Sequence, residues 1–599
     1  MSTQARVVFG LLVAATFAAF FVAQRLKHTP TVIQHVHAAS DVFSPNGDGI
    51  KDKLRVSFEL KNGGAIGVDA LDSEGDPVRS LIGDRTVRAH QRIRIAWNGR
   101  EDDGSRAPDG PYELRVALHD SGRDVLVRRR FRFDTTPPAP KIASMDPSGG
   151  PGPVLLPNRA GKVTITTKPA GFDPSVAIFR TSSAQPQLVA RLPLADKVAT
   201  WDGKLSGTPV RPGSYVAVAE WRDRAGNLGS SVPLDAKTGL PQIAYGKPFP
   251  GHGGITVRYL EVQPPSGAIK AGSLIPIGVD ARGARYRWSL RRLGATKPLR
   301  TGVTAHTPIK LMAPPGPSTI YLFQAQVGHR LATAPIAVQS ANTRPVLVVL
   351  PLMTWQGRNP VDDDGDGLPN LLDAGLTART DRVFAYGALP QGFRQQEGPL
   401  LAYLARNHRS FDITTDVALA QGRGPGLAGH HGVLLPGDVR WLPRALQLRL
   451  RGFVRGGGTL VLDGTDSLRR DVTLGNDGVM RSPTPPATTN LFGSRLRDIV
   501  HKPTTLTNLN DTLQLFSGGV YGGTGVFSGF PGYEPTAALG PDEKLAANAV
   551  TPDGQTVLVA ARFGKGLEIR TGLLDFATRL NADRNTGELL ARMFTLLAA

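Results

Sequence analysis

The 599-residue chain carries a formal charge of +20, with 69 Gly, 48 Pro and no Cys. Without thiols it has no disulfide framework, no thiolate metal site and no cysteine nucleophile. Scattered Gly and Pro favour many short strands and turns over long helices, and the length allows about four domains. Arginines standing singly on alternating segments, such as Arg92 and Arg94, would line solvated strand faces. The same charge suits an anionic partner, such as a cell-envelope polymer. No recognition helix, zinc spacing or aromatic RNA-binding signature accompanies it, so nucleic acid is not indicated.

Residues 7–24 form an uncharged apolar run between Arg6 and Arg25. As a helix this run would cover roughly 27 Å, near the hydrocarbon thickness of a bilayer. It is expected to be a transmembrane anchor, with residues 1–6 as a cytoplasmic tip and 25–39 as a polar tether. A cleaved secretory signal is the competing reading. Either way the bulk of the chain is expected to be extracytoplasmic, at the cell membrane or secreted.

From residue 40 the pattern becomes β. Alternating strands such as Leu54-Arg55-Val56-Ser57-Phe58-Glu59-Leu60 are separated by Gly- and Pro-rich turns, the mark of antiparallel structure. One arrangement occurs twice. Trp97-Asn98-Gly99 is followed by Pro108-Asp109-Gly110-Pro111-Tyr112, and Trp201-Asp202-Gly203 by Arg211-Pro212-Gly213-Ser214-Tyr215. A repeat of about 100 residues predicts tandem antiparallel β-sandwiches rather than a solenoid. We place them at 40–136 and 137–245, joined through Asp134-Thr135-Thr136-Pro137-Pro138, with a third β-rich domain at 250–340. The opening Phe43-Ser44-Pro45-Asn46-Gly47-Asp48-Gly49, with the first Trp-to-Tyr corner, resembles the immunoglobulin-like (Ig-like) domain of flagellar-hook-capping and bacterial surface-protein families. That resemblance implies spacing or adhesion rather than catalysis.

Beyond Pro345 the texture changes. Val346-Leu347-Val348-Val349-Leu350 and Gly432-Val433-Leu434-Leu435 read as strands buried on both faces. Helical periodicity lies between them and again near 443–454, before Thr459-Leu460-Val461-Leu462. This alternation predicts a doubly wound, flavodoxin-like α/β domain over 345–599. Leu435-Pro436-Gly437, a helix, then Gly456-Gly457-Gly458-Thr459-Leu460 resembles class I glutamine-amidotransferase-like domains, in particular that of the N,N-dimethylformamidase large subunit. That family shows Gly-His-x-Glu-Tyr where this chain has Gly437-Asp438-Val439-Arg440-Trp441. The replacements, with the absent Cys, predict a domain without amidase activity. A hydrolase of C–N or glycan bonds with its site above 437–441 is the alternative. Its candidate groups are Asp438, His430 and His431, and Asp438 within hydrogen-bond reach of either histidine would favour it.

The sharpest chemical signal is Asp362-Asp363-Asp364-Gly365-Asp366-Gly367-Leu368-Pro369-Asn370-Leu371-Leu372-Asp373. Acids at loop positions 1, 3 and 5, Gly at 6 and an acid at 12 follow the arithmetic of a calcium loop. Asp362, Asp364, Asp366, Asn370 and the Leu368 carbonyl would ligate Ca²⁺, and Asp373 would close the shell. Asp rather than Glu at the last position resembles dockerin-type and thrombospondin-type repeats. A structural Ca²⁺ is expected, in a binding or scaffold protein whose partners are the membrane, through 7–24, and anionic envelope polymers or surface proteins.

Overall fold

Alternation in Leu54–Leu60 and Arg92–Trp97 buries every second side chain, so each strand presents one apolar face to a core. The computed structural model describes residues 10, 12–20, 32–146, 154–155, 162–168, 171–183, 185–235, 237–242, 254–516 and 525–599. These cluster into two units. One comprises Met1–Lys141, Thr167–Ser175 and Ala219–Ser231; the other comprises Ile142–Thr166, Val176–Val218 and Val232–Ala599.

In the first unit Leu54–Leu60 lies between Ile33–Ala38 and Arg92–Trp97 in an antiparallel sheet. A second sheet runs in the order Val42–Phe43, Phe131–Phe133, Gly110–Leu118, Gly64–Leu71, Pro77–Val87. Phe43, Phe58, Val68, Trp97, Tyr112, Val116 and Phe133 fill the core. Ile33–Ala38, read from sequence as part of a tether, is the first strand, because buried Ile33 and Ala38 join that core. The Trp-to-Tyr corner closes on itself: Tyr112 donates its hydroxyl to the Pro108 carbonyl at 2.6 Å, and Trp97 Nε1 donates to the Arg100 carbonyl at 2.8 Å.

The second unit repeats that corner at the atomic level. Tyr215 donates to the Arg211 carbonyl at 2.5 Å and Trp201 Nε1 to the Lys204 carbonyl at 3.2 Å. Gly99 and Gly203 share a left-handed turn, with φ of 70° and 72°, where a Cβ would be strained. Val163, Ile165, Ile178, Trp201, Tyr215 and Ile255 pack beneath the second corner. A further pair of sheets follows. Leu274–Asp280 lies between Glu261–Gln263 and Ile309–Met312, and a five-stranded sheet is centred on Thr319–Val327.

The C-terminal part of this unit is built on nine strands. Their order is Asp412–Thr415, Val346–Leu350, Gly432–Leu435, Thr459–Leu462, Gly566–Arg570, Thr556–Phe563, Glu543–Val550, Thr504–Asp511, Val526–Phe530. The first five pair in parallel and the remainder antiparallel. Helix Arg444–Arg455 links two of the parallel strands, and Arg584–Ala598 closes the chain.

Two expectations are corrected here. A doubly wound, flavodoxin-like or amidotransferase-like α/β domain is not what 345–599 forms. Between Leu462 and Gly566 the described chain contains strands and turns but no helix, and the sheet turns antiparallel. The chain as a whole is β-rich, 43% strand against 13% helix. The transmembrane helix is also not found: among the described residues no helix is long and apolar enough to cross a membrane. Residues 10 and 12–20 are helical. Residues 1–9, 11 and 21–31, which include the rest of that run, the expected tip and most of the tether, lie outside the described residues.

Candidate metal centre

The Asp-rich loop leaves helix Leu352–Gly357 and is held at its root by Arg382. That buried guanidinium donates to the carbonyls of Val361 (3.1 Å), Asn359 (3.0 Å) and Asn370 (3.0 Å), and to the Asp363 carboxylate (3.0 Å). Fixing both ends of the loop from one side chain sorts its acids by parity. Asp363 turns to Arg382, while Asp362, Asp364 and Asp366 each bring one carboxylate oxygen within 4.8 Å of the others.

Asp362 is the innermost of the three. It accepts the amides of Gly365 at 2.5 Å and Gly367 at 2.9 Å. Burial pushes its pKa up to about 7; those two amides oppose the shift, and the charges of Asp366 and Asp364 add to it. Asp364 accepts from Asn370 Nδ2 at 3.3 Å, and Asp366 accepts the Leu368 amide at 2.7 Å. Asn370 Oδ1 accepts the Asp363 amide at 2.5 Å. Gly367 has φ 88°, and a Cβ there would lie 2.5 Å from the Tyr215 carbonyl, so this position requires glycine. Thr181 donates its hydroxyl to the Gly367 carbonyl. The Leu368 side chain packs with Phe179, Val216 and Val218. The loop is therefore seated against strands Phe172–Arg180 and Gly213–Arg222.

Three convergent carboxylate oxygens make a hard, all-oxygen donor set, which fits Ca²⁺ and offers nothing to soft metals. Asp373, the residue expected at position 12, faces elsewhere: Arg470 Nη1 lies 3.0 Å and Arg440 Nη1 3.5 Å from its carboxylate. A cleft of about 340 Å³ opens beside the loop, with Thr256, Arg258, Glu261 and Asp362 on its wall.

The other candidates do not converge. His430 Nε2 lies 3.1 Å from Asp412 Oδ2, both buried, and His431 Nδ1 lies 3.2 Å from the Ala598 carbonyl. Both histidines precede strand Gly432–Leu435, whereas Asp438 follows it, so a strand about 13 Å long separates them. Asp438 Oδ1 accepts the Thr465 amide at 3.0 Å and its hydroxyl at 3.3 Å. Sequence reasoning missed the acids that do gather near Asp438. Glu397 accepts from Trp355 Nε1 at 3.1 Å, and Asp463 accepts the Gly437 amide at 2.5 Å. Burial raises Glu397 to about 8 and Asp463 to about 7. Only the fold brings positions 397, 438 and 463 together, and no spacing rule marks them.

No family model matches the chain, and no curated protein matches it in sequence; the amidotransferase-like resemblance thus finds no support. Among solved structures, the exo-β-1,4-mannosidase Op5Man5 from Opitutaceae bacterium strain TAV5 is 12% identical over 43% of this chain and 36% of its own, with TM-score 0.26. The BSP domain of a biofilm-associated protein is 15% identical over 35% of this chain and 30% of its own, with TM-score 0.13. A tetra-tandem repeat from the extending region of a large adhesion protein is 14% identical over 51% of this chain and 74% of its own, with TM-score 0.16. The chain spans little more than a third of the mannosidase, and these likenesses are too distant to assign a function.

Proposed function

We propose that this chain is an extracytoplasmic binding or scaffold protein, in which β-sandwich modules carry a calcium-stabilised, non-catalytic C-terminal region. The observation behind the proposal is the meeting of Asp362, Asp364 and Asp366 within 4.8 Å on a loop seated against Thr181 and Tyr215. Three carboxylates this close repel one another, and a divalent ion relieves that repulsion. An ion there would tie the loop to the sandwich, a structural role. Calcium outside cells is abundant enough to fill sites with Kd of roughly 10⁻⁴–10⁻³ M, which favours an extracytoplasmic setting. The separation of Asp438 from both histidines speaks for a non-catalytic region.

Protease treatment of intact source cells tests this. Cleavage of the chain from outside is expected, faster after calcium chelation, with new cuts between residues 357 and 381. Full protection in intact cells, or cutting indifferent to chelation, would reject the proposal.

A further inference from the structure

A second cleft, of about 490 Å³, is bounded by Arg358, Asp373, Ser182, Gln391, Pro369 and Leu371. We infer that it is an oxyanion-binding site and that Arg358 reads the ligand. The inference stands on how this region spends its charges. Arg382 is paired with Asp363 at 3.0 Å, Arg470 with Asp466 at 2.7 Å and Arg469 with Glu534 at 2.8 Å. Arg358 differs: among the described residues its guanidinium has no ion pair or hydrogen bond, although it is half-buried at the cleft wall.

The nearby acids are already engaged. Asp373 is shared by Arg470 and Arg440, Asp466 by the same two arginines, and Asp438 by Thr465. After burial, repulsion by Arg440 is the strongest influence on Arg358, ahead of the attraction of Asp438, Asp373 and Asp466. An incoming anion therefore meets a desolvated cation that has no competing partner. A guanidinium presents a planar fork that matches carboxylate, sulfate or phosphate oxygens two at a time. Pro369 and Leu371 keep the wall apolar, which strengthens the attraction, and the volume is that of a small-ligand site. The ligand class is a small oxyanion, either free or as the exposed acidic group of a polymer; the net charge of +20 would draw either one in.

The test is calorimetric titration of the whole chain at fixed ionic strength with inorganic phosphate, sulfate, glucuronate and a glucuronate oligomer. Wild type should bind at least one of them. Arg358→Gln should weaken that binding tenfold or more with an unchanged melting temperature, and Arg358→Lys should recover part of it. Ala374→Trp, which fills the cleft and leaves Arg358 in place, should also abolish binding, and it decides the matter if Arg358→Gln does not fold. Tighter binding of the oligomer than of glucuronate points to a polymer, and equal binding to a free ion. Equal affinity in wild type and both cleft variants, or no heat beyond a chloride control, overturns the inference. Asp364→Ala should leave anion binding intact, so failure of the calcium proposal and failure of this one are distinguishable.

Discussion

Two acidic regions of this molecule hold carboxylates close together by opposite means. In the loop, Asp362, Asp364 and Asp366 meet because residues two apart are folded back by Gly365 and Gly367. At the strand ends, Asp438 and Asp463 meet Glu397, the first residue of helix Glu397–Arg406, from distant parts of the chain. The loop lies beside open clefts, so a cation can reach it. The strand-end acids are sealed: Glu397 Oε2 is buried and has no hydrogen-bond partner among the described residues. There a proton would do what the proposed ion would do in the loop. On the proposed reading, similar chemistry serves cation binding in one place and a buried, proton-holding core in the other.

The contrast can be broken from either side. Gly367→Ala places a Cβ against the Tyr215 carbonyl at a left-handed φ; it should cost about 2–4 kcal/mol, read by urea unfolding, and abolish calcium stabilisation.

The next effect belongs to the strand ends. Glu397 and Asp463 have folded pKa values of about 8 and about 7, above the unfolded range near 4. The folded state thus binds more protons than the unfolded one. Their contribution is fully present below about pH 4 and is lost as pH rises toward 8. Each of the two should lower unfolding free energy by about 3 kcal/mol between pH 5 and 8, and Glu397→Gln should remove its own share of that slope while leaving calcium binding unchanged. A slope that survives in Glu397→Gln and Asp463→Asn assigns it elsewhere.

Calcium at 10 to 100 times its Kd should stabilise the wild type by about 1–3 kcal/mol, seen as a rise in melting temperature absent from Asp364→Ala/Asp366→Ala. The smallest effect lies outside both regions. Tyr112→Phe and Tyr215→Phe each remove one hydroxyl from a backbone carbonyl and should cost about 0.5–1.5 kcal/mol apiece, by the same amount if the two corners are equivalent.

What could be read from the sequence follows the range of the interactions involved. The Trp-to-Tyr corners were legible because each hydroxyl bond closes over four residues. The loop was legible because its acids are two apart. Asp373 departs from its expected direction because Arg440 and Arg470, far along the chain, draw it away. The turn of the nine-stranded sheet from parallel to antiparallel was not legible. Thr504–Asp511 pairs with Glu543–Val550 across a long interval, and a helical alternation seen over 346–462 says nothing about the segment after it. Glu397 and Arg358 carry no local signature; their significance lies in what surrounds them.

The most direct test of the central claim is calorimetric titration of Ca²⁺ into the chelator-treated whole chain and into Asp364→Ala/Asp366→Ala. The account predicts one site in the wild type and none in the variant. A wild type that takes up no calcium, or a variant that binds it equally well, contradicts it.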